Sequence, residues 1–252
     1  MKRFPSLLVK IFSFLWLLKL STFVEALNDN EVVVATREDG KTVVRFLLDA
    51  DYVYSPPTET TEWWYTISDN SVPFVSVQLV YNAHGHIGGL STKDSEYLSQ
   101  LSGDEAMYFL SNHSSWTIPH FDLHFYIWPR ETVEEIDDPN TLPASAMYLP
   151  ANYSCPPVAF EAMMGLHCFD TTKDYSTLDF TRTPEVIYGS YDHHVHFLET
   201  MFPNQFLKNV VAHDNYVVDI PQPEQVPFTP FPTKFRFRYN ENKNAFVIVV
   251  VM

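Results

Sequence analysis

Glycine is scarce in this chain: seven among 252 residues, against eighteen prolines. Few glycines leave little freedom for flexible linkers, and the prolines favour extended connections. Cysteine is rarer still, with only Cys155 and Cys168 and no CxxC pair, so a zinc-ribbon or dithiol redox motif is absent. Basic side chains are few, 16 against 31 acidic ones. Such a surface repels phosphate backbones and anionic lipid, which argues against nucleic acid or a membrane face as partner. Missing too are a P-loop, a GxGxxG turn, an HExxH helix and a nucleophile elbow. No repeat of 20 to 50 residues and no low-complexity tract occurs.

What is present begins with an export signal. Lys2 and Arg3 precede the mostly apolar run Leu7 to Leu20, and Val24-Glu25-Ala26 places small residues where a signal peptidase cuts. Lys10 and Lys19 interrupt the run and leave it too short to span a bilayer. Residues 1–26 are therefore expected to be a signal peptide, and 27–252 a single secreted, extracellular domain. Cleavage removes Lys2, Arg3, Lys10, Lys19 and Glu25, leaving 12 basic and 30 acidic side chains. In an exported chain the even pair Cys155 and Cys168 is expected to form a disulfide, worth about 3 kcal/mol in the chain-entropy picture. Two glycosylation sequons, at Asn112 and Asn152, fit the same compartment.

The remainder reads as strands. Glu31 to Thr36 and Lys41 to Ala50 flank a turn at Glu38–Lys41, and Glu62 to Ser68 and Val72 to Tyr81 flank Asp69-Asn70-Ser71. His84 and His86 fall in a glycine-bearing loop, read as a solvated turn. Ser91 to Met107 is helix-like, as is Arg130 to Ile136 behind Pro129. Val186 to Tyr191 and Val195 to Met201 form a hairpin whose histidines His193, His194 and His196 are expected to be exposed. One or two helical turns follow Pro203. Five prolines between Pro221 and Pro232 give an extended wrap, and the chain closes with strands Thr233 to Tyr239 and Asn244 to Met252. The last is apolar on both faces and so expected to be covered on both. The fold class is α+β and β-rich, a mainly antiparallel sandwich or barrel-like sheet with a few short helices.

The chemistry concentrates in WTIPHFDLHFYIW, residues 116–128. Read with a period of two, Phe121, Leu123, Phe125 and Ile127 share one face, and His120, Asp122, His124, Tyr126 and Trp128 the other. His167 lies in a second strand. Glu199 lies in a third among Val195, Phe197 and Met201, where a carboxylate must find a partner or stay protonated. Exported histidine–carboxylate sets on β frameworks suit zinc, copper, manganese or iron. His120 and His124 stand about 13 Å apart along a strand, so they could share an ion only at full stretch or across a bulge. The favoured set is thus Asp122 with His124, joined by His167 and Glu199. The alternative is a structural polar network at a cleft or oligomer interface.

PHFDLHFYIWPRE, MGLHCFD and VIYGSYDHHVHFLETMF, in that order, resemble the blocks of a poorly characterised secreted family of unknown function. That family has a structurally studied Thermus member regulated by an extracytoplasmic-stress sigma factor. PFVSVQLVYNAHGHIGGL and FPTKFRFRYNENKNAFVIVV are similar to its pattern as well, so coverage runs from about Val72 onward. The resemblance implies an exported, β-rich domain that forms homo-oligomers, and no established reaction. It places His120, Asp122, His124, His167 and Glu199 in recurrent blocks. Cys168 stands where an aromatic is expected and Thr200 where proline is expected. Taken together, the sequence points to a secreted binding or interaction domain whose pocket takes a metal ion or a small molecule. The alternatives are a metal-dependent enzyme acting on a small extracellular molecule, and a purely structural assembly protein.

Overall fold

The computed structural model describes residues 31–36, 41–85, 118–173 and 179–252. The expected signal segment, the turn around Asp39, His86, the expected helix Ser91–Met107 and the sequon at Asn112 lie outside the described residues.

Alternation of apolar side chains builds two antiparallel sheets. The strands in chain order are β1 (Glu31–Thr36), β2 (Thr42–Asp49), β3 (Thr61–Thr66), β4 (Ser76–Asn82), β5 (His120–Tyr126), β6 (Tyr153–Ser154), β7 (Phe160–Glu161), β8 (Gly165–Asp170), β9 (Glu185–Tyr191), β10 (His194–Pro203), β11 (Tyr216–Asp219), β12 (Lys234–Asn240) and β13 (Ala245–Val251). One sheet has five strands in the order β1-β2-β13-β12-β11. The other has eight, in the order β3-β4-β5-β10-β9-β8-β6, with β7 also paired to β8. The sheets pack face to face as a sandwich, and neither closes into a barrel.

The core between them is set by the period-two pattern. Phe46, Phe235, Phe237, Phe246 and Ile248 come from the smaller sheet, and Leu79, Phe121, Leu123, Phe125, Leu198 and Phe202 from the larger. Rings meet across the gap, as in Phe125 with Phe235 at 6.1 Å and Phe202 with Phe237 at 5.4 Å. β13 is buried on both faces, as its unbroken apolar run requires. In the basic stripe of β12, Lys234 lies 3.3 Å from Asp219 of the neighbouring strand.

Short helices join the strands. α1 (Ala50–Tyr54) is capped by the Asp49 carboxylate, which accepts from the Asp51 N–H at 2.9 Å. α2 (Arg130–Val133) starts behind Pro129, and α3 (Asn204–Phe206) follows Pro203 and continues into a wide turn over Leu207–Val211. The proline-rich segment 221–232, expected to run extended, instead bends at 224–225 and 227–230, and it touches the loop before β6 through a bridge between Pro150 and Pro223. Cys155 and Cys168 form a disulfide. No helix among the described residues is long and apolar enough to cross a membrane.

The site lies on the other face of the large sheet, away from the sandwich core. Pairing orders that face into rows. Gln78 of β4, His124 of β5, Glu199 of β10 and Ile187 of β9 are cross-strand partners in sequence across the sheet. A parallel row runs through Tyr126, Phe197, Gly189 and His167. Two apolar clusters cover the flanks. One contains Tyr126, Val133, Ile136 and Phe197, the other Phe169, Phe180, Ile187 and Met201.

Candidate metal centre

β5 is buried along its whole length, so its polar alternation forces His120, Asp122 and His124 into the interior. The structure divides them. His124 meets His167 and Glu199, and the three offer ligand atoms that all lie within 4.8 Å of one another. His120 and Asp122 form a separate pair further along the strand.

In the first group the Nε2 of His124 lies 3.5 Å from Oε2 of Glu199, and the Nε2 of His167 lies 3.8 Å from the same oxygen. Both exceed the 2.7–3.2 Å of a sound hydrogen bond. They approach the separation of about 3.3 Å expected between ligand atoms held some 2 Å from one tetrahedral ion. Nδ1 of His167 lies 3.2 Å from the Ala159 carbonyl. A carbonyl only accepts, so the ring proton is on Nδ1 and the Nε2 lone pair faces Glu199. That is the second-shell arrangement by which proteins orient an imidazole ligand. His124 and Glu199 are buried, while the His167 side chain keeps 14% of its exposure.

Burial drives the Glu199 carboxyl well above the ordinary carboxylate range, and the charges of Asp122 and Glu161 push the same way. Without a cation, burial thus favours the protonated, neutral acid of Glu199 over the carboxylate. Its Oε2 has no hydrogen-bond partner among the described residues. A divalent ion held by the two imidazoles answers both facts.

Phe197 packs against both imidazoles, which also meet each other edge-on at 6.3 Å. His124 and His167 each meet its ring edge-on, with centroids at 5.2 and 5.3 Å. The ring can lie there because its cross-strand neighbour is Gly189, which has no side chain. Tyr126 stacks on His124 at 5.7 Å and donates its hydroxyl to Oε1 of Gln78 at 3.0 Å. Gln78 in turn donates to Glu62 at 2.9 Å, so the ring beside His124 is tethered to the sheet edge.

The second pair is organised differently. Nδ1 of His120 donates to the Ile118 carbonyl at 2.7 Å, leaving Nε2 3.4 Å from Oδ1 of Asp122. Asn82 donates to Oδ2 of Asp122 at 2.5 Å. Asp122, expected beside His124 as a ligand, is thus held by Asn82 and His120, and it acts on Glu199 through its charge.

One expectation is corrected. His196 is not exposed with His193 and His194 but fully buried. The pairing of β10 with β9 shifts between Val195 and Phe197, a bulge that turns His196 and Phe197 to the same face. The His196 ring stacks on Trp128 at 4.5 Å and sits beside Tyr126 at 5.9 Å. Burial, reinforced by His167, depresses it to about 3 and keeps it neutral. The bulge has no local sequence signature. Gly189 did carry a signal: a glycine inside a strand pattern marks a close approach by something else.

These features define a class: a buried centre of two histidines and one carboxylate on the outer face of a β-sandwich sheet. No protein-family model, curated protein or solved structure matches the chain.

Proposed function

We propose that this is a secreted metal-binding domain in which His124, His167 and Glu199 hold one divalent first-row cation. The observation that carries the reading is the orphaned Oε2 of Glu199. It is buried and lies 3.5 and 3.8 Å from two imidazole nitrogens, one of which is fixed by a main-chain acceptor. Nitrogen and oxygen donors suit zinc, copper, manganese or iron, and the set lacks the thiolates that would narrow the choice. Export and glycosylation belong to the same proposal. They are supported by the disulfide and by the exposed turn that carries Asn152. Self-association rests on the resemblance of the strand blocks alone.

A metal-dependent enzyme is the second reading. What favours it is the ligand count, because three protein donors leave a fourth position for water or substrate, as in catalytic rather than structural sites.

Elemental analysis of the tag-free mature protein tests the proposal, beside His124→Ala and Glu199→Gln variants. We expect close to one equivalent of metal in the wild type and loss from both folded variants. A wild type without metal after incubation with each of the four ions would sink it. Exchange of a metal-bound water, followed by nuclear relaxation of the manganese form, separates an open enzyme site from a closed binding site.

A further inference from the structure

His124 and Glu199 sit on β5 and β10, adjacent strands in the middle of the large sheet with neighbours on both sides. His167 is differently placed. β8 pairs with β9 over only three residues, Leu166 to Cys168. Its other side is covered by the two-residue strands β6 and β7. The third ligand therefore hangs on the thin edge of a sheet whose middle holds the other two.

The disulfide lies where that edge needs support. Cys168 follows His167 directly and, by strand alternation, points to the opposite face, into the sandwich core, where it is fully buried. Cys155 lies 13 residues earlier, just after β6. The covalent ring contains β7, the ligand His167 and the Ala159 carbonyl that fixes its tautomer. Both the ligand and the group that aims it are inside one closed loop.

We propose that closure of the Cys155–Cys168 ring gates metal loading: the disulfide stands in for missing sheet neighbours and holds His167 in ligating position, so the site reaches full affinity only in the oxidised chain. This rests on the metal reading of the site. In ring closure each thiol gives up a proton and an electron to a disulfide-class oxidant, which leaves as a dithiol. The ion is then acquired after oxidative folding.

The test uses the full mature chain and zinc, titrated in competition with a chromophoric chelator, beside the Cys155→Ala/Cys168→Ala variant. The variant, folded by near-ultraviolet circular dichroism, is expected to bind zinc 10- to 100-fold more weakly, the range seen when a ligand's orienting partner is lost. In the zinc-free proteins the His167 ring resonances should shift between the two forms while those of His124 stay in place, a split that general destabilisation would not produce. Equal affinity overturns the gate. If the variant does not fold, zinc-loaded wild type is reduced in place with a water-soluble phosphine. Zinc release with the dichroism retained supports the proposal. Zinc retained by the reduced protein, or zinc lost only together with the dichroism, overturns it. A disulfide-bonded wild type that binds no zinc or other divalent ion removes the metal reading itself, an outcome visible before any cysteine is changed.

Discussion

The ring of Phe197 lies over Gly189 so closely that a Cβ added there would fall 1.9 Å from two of its carbons. Gly189→Ala must therefore displace Phe197, whose ring packs against both His124 and His167. We expect a loss of about 1–3 kcal/mol, the usual cost of overpacking a buried site, and weaker metal binding than that of a control change elsewhere on β9. Urea midpoints and zinc affinity measured on one preparation would show both effects. Unchanged affinity in a destabilised protein would mean that the ring supports the sheet but not the ligands.

Glu199 makes a prediction about pH in the metal-free protein. Its carboxyl titrates well above the unfolded value, so its contribution to stability is full below about pH 4.5 and fades as pH rises through the folded value. Glu199→Gln removes that dependence. In EDTA the variant should match the wild type near pH 4.5 and become the more stable of the two as pH rises, while binding no metal. A variant less stable than the wild type at every pH contradicts a carboxyl whose ionisation burial opposes.

His196 acts in the opposite direction. Its folded value, depressed to about 3, lies below the unfolded one, so its contribution is complete above about pH 6.5 and is lost as pH falls toward 3. At pH 5 the loss is about 2 kcal/mol. His196→Phe, which keeps a ring against Trp128, should reduce the difference in unfolding free energy between pH 7 and pH 5 by about that amount. An unaltered acid limb would show that the imidazole is reached by water.

Asp122 separates ligand from neighbour. Held by Asn82 and His120, it acts on Glu199 through its charge. Asp122→Asn should keep one equivalent of metal while lowering the pH at which metal-free Glu199 ionises, because a like charge has gone. Loss of the metal would make Asp122 a fourth ligand, and elemental analysis alone decides it.

The fold was legible wherever alternation ran uninterrupted. Phe121, Leu123 and Phe125 face the core and His120, Asp122 and His124 do not, as a period of two requires. The hairpin at Asp192-His193 and the doubly buried final strand were readable in the same way. The choice between Asp122 and Glu199 as partner of His124 was not. It depends on β10 lying beside β5 in a register that sets Glu199 opposite His124 and Met201 opposite Asp122. Strand order and register between segments some 75 residues apart are long-range properties, and one residue of slip would exchange the faces. His196 was misjudged for a related reason. A bulge adds one residue to the count, and from there toward the turn the inside–outside assignment shifts by one.

β13 has a consequence for how the chain comes to be folded. It lies between β2 and β12, and its partner β2 is made about 200 residues earlier, among the most distant pairings a chain of this size can have. During synthesis β2 exposes Val44, Phe46 and Leu48 and one bare edge until Ala245–Val251 arrives. That late strand, AFVIVVV, is itself the uncharged, β-branched kind of segment that stacks with copies of itself. Assembly of the smaller sheet is thus slow, and it competes with aggregation at the moment the last strand appears. The yield of folded protein should depend on chaperone supply more steeply than the stability of the finished sandwich would suggest.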